Sequence, residues 1–238
     1  MLYSLPSNII SFFVLGVSIT LFGVRGLYLY TKQKTPLIFY YGLGATFGGI
    51  SALAYSVPFI FTQTESVLKL TTLVGDVLYY ASIIVMTRII WYLGFNKRIA
   101  YGWVAAPYLV MIVGAMTASL VYMPTVHYVF SAGHVEYPVP LVASWFFAAM
   151  STAYIFVGFL TLRQSRLIKV PKQRLRLLLI GLAFLVGGIF AVMNFLFSQG
   201  SNNSLFGVVG YALVAALLFI GIFVISRSKS IRSNKIST

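Results

Sequence analysis

Cysteine is absent and acidic residues nearly so: the 238-residue chain holds three carboxylates, Glu65, Asp76 and Glu136, and two histidines. The first absence excludes disulfides, thiolate metal sites, palmitoylation and cysteine nucleophiles, and it leaves the redox compartment open. The second leaves no material for a catalytic triad or a paired-carboxylate site, and no phosphate-loop motif is present. The chain therefore reads as non-enzymatic and without a cofactor. Charged residues make up 8% of it, where a soluble domain carries about a quarter.

What is there instead is apolar. Hydrophobic residues make up 60% of the chain and the mean hydropathy is +0.94. About 20 consecutive apolar residues cross a bilayer as a helix, and seven runs reach that length: 8–30, 37–61, 67–93, 101–123, 140–162, 174–198 and 205–226. None shows the period-two alternation of a barrel strand. The expectation is an all-α, integral membrane seven-helix bundle over residues 1–226, followed by a basic tail, 227–238. No basic region precedes the first apolar run, so Met1–Arg25 reads as helix 1 and not as a cleavable signal peptide.

A net charge of +14 would suit nucleic acid, but its distribution argues against that partner. Arg25, Lys32 and Lys34 follow helix 1; Arg88, Lys97 and Arg98 end helix 3. Arg163, Arg166, Lys169, Lys172, Arg174 and Arg176 surround the helix 5–6 connector, and Arg227, Lys229, Arg232 and Lys235 lie in the tail. In an antiparallel bundle this places all the basic residues but Lys69 on one side. The positive-inside asymmetry then sets the N-terminus outside and the C-terminus in the cytoplasm, most simply of a plasma membrane. The basic face is expected to meet anionic lipids, and the 163–176 segment a cytoplasmic protein partner.

Thr35 and Pro36 mark the start of helix 2, and Pro171 breaks the basic connector before helix 6. Gly42-Leu43, Gly48-Gly49-Ile50 and Ala52 recur at identical spacing as Gly181-Leu182, Gly187-Gly188-Ile189 and Ala191. One reading is a 3+1+3 parallel repeat about helix 4, an arrangement known among small transporters. The other is convergent close packing, because small residues let helices approach. Gly44 and Gly48 fit that packing role and are also a weak signal for a homodimer. The connector Pro124–Pro140 alternates at Val126, Tyr128 and Phe130 and again at Val135, Tyr137 and Val139 about Ser131-Ala132-Gly133, which describes either a β-hairpin lid or an irregular loop.

Asp76 is the one acid inside an apolar run; Glu65 and Glu136 fall in polar connectors. An ionisable group at membrane depth costs a few kcal/mol unless paired or facing a cavity. Asp76 stands about nine residues, or about 13 Å, into helix 3, with Thr72, Tyr79 and Tyr80 near it on the same helix. Tyr55, Thr117, Ser151, Thr152, Asn194 and Tyr211 fall at comparable depth. Together they describe an outward-opening ligand pocket of Asp76, Tyr55, Tyr79, Tyr80, Asn194 and Tyr211. The alternative is a structural carboxyl bonded to a tyrosine. Arg88 is too far along the helix to reach Asp76 and is expected to extend to the inner interface. His127, His134 and Glu136 share one connector, but their spacing matches no metal motif and they read as solvated. Helix 7 lacks a retinal lysine and the Asn-Pro-x-x-Tyr pattern of G-protein-coupled receptors.

The first helix ends in Thr31-Lys32-Gln33-Lys34, the second is rich in glycine and aromatics, and Lys172-Gln173-Arg174-Leu175-Arg176 precedes the sixth. In these features the chain resembles the seven-helix sensory region at the N-terminus of some bacterial histidine kinases, over about residues 5–228. The resemblance implies a sensor or receptor-like protein, with signal passed to a separate partner because no kinase output domain follows. A small-solute transporter using Asp76 as a proton or cation site, and a scaffold subunit of a membrane complex, are the alternatives.

Overall fold

The computed structural model describes residues 7–62, 64–122, 127–131, 134–136, 141–197, 209–210, 212–218 and 220. Six long helices follow one another: α1 (Ser7–Gln33), α2 (Pro36–Phe61), α3 (Glu65–Gly94), α4 (Tyr101–Tyr122), α5 (Leu141–Leu167) and α6 (Pro171–Phe197). All six are long and apolar enough to cross a membrane. Of the seventh run, 209–210, 212–218 and 220 are helical; its remainder and the 227–238 tail lie outside the described residues.

Several boundaries move outward from the hydropathy runs. Glu65 opens α3 and does not sit in a connector, so Asp76 lies about 16 Å along that helix. Pro171 is the first residue of α6, and α5 continues to Leu167. Arg163, Arg166 and Lys172 therefore ride on helices, as Arg174 and Arg176 do, and Lys169 alone of the six lies between them. Lysine and arginine are good helix formers whose long stems reach past the apolar layer, so they extend a helix that a hydropathy window stops short of. Thr35 takes the capping position of α2 with Pro36 behind it, but its hydroxyl makes no capping bond.

α3 and α5 form the centre. Tyr80, Ile83, Met86, Ile89 and Ile90 of α3 pack with Phe147, Met150, Val157 and Leu160 of α5, and with Val104, Tyr108 and Ala115 of α4. A smaller cluster joins Leu15 of α1, Ala183 of α6, and Val214 and Leu218 of the last helical stretch. Large apolar side chains such as Leu21, Val24, Val110, Val113, Phe156 and Phe159 face outward. In water such a surface would be an aggregation hazard; here it is the lipid face.

The α1–α2 and α5–α6 pairs are built alike. A Cβ on Gly42 would stand 2.7 Å from the backbone nitrogen of Leu27, and one on Gly49 2.5 Å from that of Thr20. A Cβ on Gly181 would stand 3.0 Å from the nitrogen of Leu162, and one on Gly188 2.7 Å from that of Ile155. In both pairs the glycines are seven residues apart, and so are the nitrogens they meet. Gly23 and Gly158 return the contact in matching register, against Thr46 and Leu185. Gly44 and Gly48 face Met86 and Ser82 of α3 within the chain.

The connector after α4 contains a hairpin, β1 (Val129–Ser131) antiparallel to β2 (His134–Glu136), in which Phe130 is opposite Val135. It lies at the end of the bundle where α3 begins, and we call this the hairpin end. The opposite, basic end carries the α5–α6 junction.

Candidate functional site

The polar residues of the core line up along α3. Thr72, Asp76, Tyr79, Ser82 and Thr87 each meet a tyrosine or serine from another element. Nearest the hairpin, Thr72 donates to the carbonyl of Leu68 at 2.8 Å and so accepts from Tyr128 at 2.7 Å. The Tyr128 ring packs edge-on against Phe59 of α2, and the preceding His127 meets Glu65 at 2.9 Å. These contacts close the chain before β1 over the start of α3.

One turn deeper, Tyr55 of α2 donates its hydroxyl to Oδ1 of Asp76. Ser51, one turn away on α2, donates to the carbonyl of Gly75 at 2.8 Å. A Cβ on Gly75 would lie 2.8 Å from the Tyr55 ring, so the bare glycine lets the ring lie flat against α3 and reach the carboxylate. Asp76 is 7% exposed. Among the described residues its carboxylate meets no cation: the only ion pairs join Glu65 to Lys69 and to His127.

Beyond Asp76 the hydroxyl pairs resume. Tyr79 bonds Ser151 of α5 at 2.7 Å, and Ser151 donates to the carbonyl of Phe147. Ser82 donates to the carbonyl of Gly44 at 2.7 Å and accepts from Tyr154 at 2.9 Å. Tyr41 bonds Thr161, which donates to Val157, and Tyr101 bonds Thr87, which donates to Ile84. In every one of these pairs the acceptor's own proton is committed to a helix carbonyl. Each pair thus ties two elements together and ends on a helix carbonyl. Among these described hydroxyl pairs, Tyr55–Asp76 ends on a carboxylate instead.

Tyr80 completes the local set. Its ring stacks on Phe147 with centroids 5.7 Å apart, and its hydroxyl is buried without a hydrogen-bond partner. Ser119 of α4 stands close to it but short of bonding geometry. The Tyr80 hydroxyl is within electrostatic range of Asp76.

Of the residues singled out in the sequence, the fold gathers Asp76, Tyr55, Tyr79 and Tyr80 at one level. Asn194 is half-buried on α6 and shares no hydrogen bond with them. Tyr211 lies outside the described residues. Thr117 is exposed on α4 and faces away from the layer expected to contain it. Ser151 belongs to the set through Tyr79, whereas Thr152 bonds back to Ala149 on its own helix. Arg88 does not simply extend to the interface: its guanidinium lies 3.5 Å over the Tyr101 ring and 6.0 Å from that of Trp91, a cation–π contact. His127 pairs with Glu65; the side chains of His134 and Glu136 lie outside the described set. Among the described residues no group of three histidine or acidic side chains could hold a metal ion.

Sequence reasoning missed Ser51, Ser82, Tyr41, Tyr154 and Thr161. The signal was present in part: Ser82 falls at helical spacing from Tyr79, on the face that bears Asp76.

The six helices, the outward apolar belt and this internal polar seam define a multi-pass membrane protein. No family model matches the chain, and neither a curated protein nor a solved structure does.

Proposed function

We propose that the chain is a non-enzymatic, sensor or receptor-like membrane protein whose working group is Asp76, a site for a proton or a small cationic ligand approaching from the hairpin end. One observation carries this reading: among the hydroxyl pairs described along α3, Tyr55–Asp76 ends on a carboxylate where the others end on a backbone carbonyl. A carboxylate at this depth costs a few kcal/mol, and a hydrogen bond to a charged group returns about 1.5–3 kcal/mol. One neutral donor leaves the site short of a positive partner, and a proton or cation supplies it. The tyrosine rings around it add faces that attract cations. Because the bond joins α2 to α3, a ligand that competes with Tyr55 acts on the seam between those helices.

The resemblance to kinase sensory regions supports the sensor reading, as does the exposed basic surface of Arg163, Arg166, Lys169, Lys172 and Arg174 opposite the site. That surface is proposed to face the cytoplasm of a plasma membrane and to engage a protein partner. Single cysteines placed on the hairpin and at 168–170 of this cysteine-free chain test the orientation by labelling from either side. Titration of purified protein with sodium, potassium and small amines tests the site. Binding by wild type that is lost in Asp76→Asn supports it; equal binding by the variant removes it.

A second reading, a small-solute transporter, is favoured by the matched glycine contacts of the α1–α2 and α5–α6 pairs. They support a 3+1+3 repeat of two like units that could rock about α4. Counting on from Gly49 and from Gly188 by the same number of residues leads to Tyr55 and to Asn194. This reading requires solute flux in sealed vesicles that disappears in Asp76→Asn.

A further inference from the structure

We propose that Arg25 of α1 and Arg176 of α6 form a phosphate-binding site at the basic end of the bundle, filled by the headgroup phosphate of an anionic lipid. This inference rests on the membrane setting and not on the role of Asp76.

The two arginines come from helices that are far apart in sequence and meet in space. Phe22 and Phe184 join α1 to α6 edge-on with centroids 6.5 Å apart, and Leu15 and Ala183 share a buried cluster. Arg25 follows Phe22 on the turn toward the basic end, and Arg176 stands on the same side of Phe184. Both are half-buried, unlike the exposed Arg163, Arg166, Lys169, Lys172 and Arg174. Arg25 lies within electrostatic range of Arg176.

Among the described residues no carboxylate answers that charge. The chain's three carboxylates are Glu65, bonded to Lys69 and His127, Asp76, bonded to Tyr55, and Glu136, on β2 at the hairpin end. Two half-buried like charges without a counter-ion are a standing cost. A phosphate between them removes it. Guanidinium forks match phosphate oxygens two at a time, and two forks from two helices make a clamp that a single exposed lysine does not.

The depth and surroundings favour a lipid as the source. Arg25 lies about 12 Å inside the end of α1, and Arg176 about 7 Å inside the start of α6, both half-buried and not in open solvent. Leu21, Val24 and Tyr28 form an exposed apolar stripe beside Arg25, against which an acyl chain attached to that phosphate can lie.

The test is thermal unfolding of the full chain in a zwitterionic detergent, with phosphatidylglycerol, phosphatidylcholine or inorganic phosphate added. Phosphatidylglycerol should raise the Tm of wild type, and phosphatidylcholine and inorganic phosphate should not. Arg25→Gln and Arg176→Gln should each lose most of that shift; Arg166→Gln, on the exposed face, should keep it. Arg25→Lys and Arg176→Lys keep the charge without the fork and should give a weaker response. Native mass spectrometry supplies a readout independent of folding strength: wild type should retain phosphatidylglycerol and Arg176→Gln should release it. An equal response to phosphatidylcholine, or an undiminished shift in the glutamine variants, overturns the proposal. A shift with inorganic phosphate that is lost in the same variants keeps the phosphate site and overturns the lipid as its source.

Discussion

The α1–α2 and α5–α6 pairs share a packing scheme and differ in chemistry. In both, two glycines seven residues apart bring the second helix against backbone nitrogens of the first. Yet α2 sends Tyr55 to the carboxylate of Asp76, whereas Asn194, at the matching place on α6, makes no such bond. Close approach of backbones is therefore a property of both helix pairs, and the bond to a carboxylate of one. The difference separates packing, which works through volume, from the proposed role of Asp76: a buried carboxyl adds nothing to packing that a neutral side chain would not.

The largest effects should come from breaking the shared packing. Gly42→Leu and Gly181→Leu each force a side chain into backbone and should destabilise the protein by about 3 kcal/mol, read as the midpoint of unfolding in detergent. Similar losses in both are expected; tolerance of one alone would mean that the halves are not packed alike. Asp76→Asn should abolish cation binding while leaving the folded protein in good yield, whereas Asn194→Ala should leave binding unchanged. Tyr55→Phe removes the one donor to the carboxylate and should cost about 1.5–3 kcal/mol, against about 1 kcal/mol for Tyr79→Phe, whose Ser151 partner is already satisfied by a carbonyl. Thr117→Val, on the lipid face of α4, should change stability by less than about 0.5 kcal/mol. A larger effect there would return Thr117 to the polar layer.

Much of the fold was legible because crossing a bilayer requires about 20 apolar residues in a row; the middles of six helices follow from that alone. The ends did not, since Pro171–Gln173 and Arg163–Leu167 are helical but polar or charged, and hydropathy does not register them. The hairpin was visible in the alternation about Ser131 and Val135, though a loop read as well. Asp76 stood out because one acid in an apolar run is costly. Its partner was harder. Helical spacing nominates Thr72, Tyr79 and Tyr80, which share its helix, but the bond comes from Tyr55 on α2, at a distance set by the bare backbone of Gly75. Which way a polar residue faces was also out of reach for Thr117, because a helix apolar all round has no preferred side to read.

The most direct test of the account is the infrared spectrum of the carboxyl groups, tractable in a chain with only three acids. Wild type, Asp76→Asn and Tyr55→Phe would be compared before and after addition of the best-binding cation from the titration. The account predicts a carboxyl band that changes on addition, is missing in Asp76→Asn and is displaced in Tyr55→Phe. A spectrum indifferent to the cation, with the same bands in wild type and Tyr55→Phe, would contradict it and leave Asp76 as a structural carboxyl.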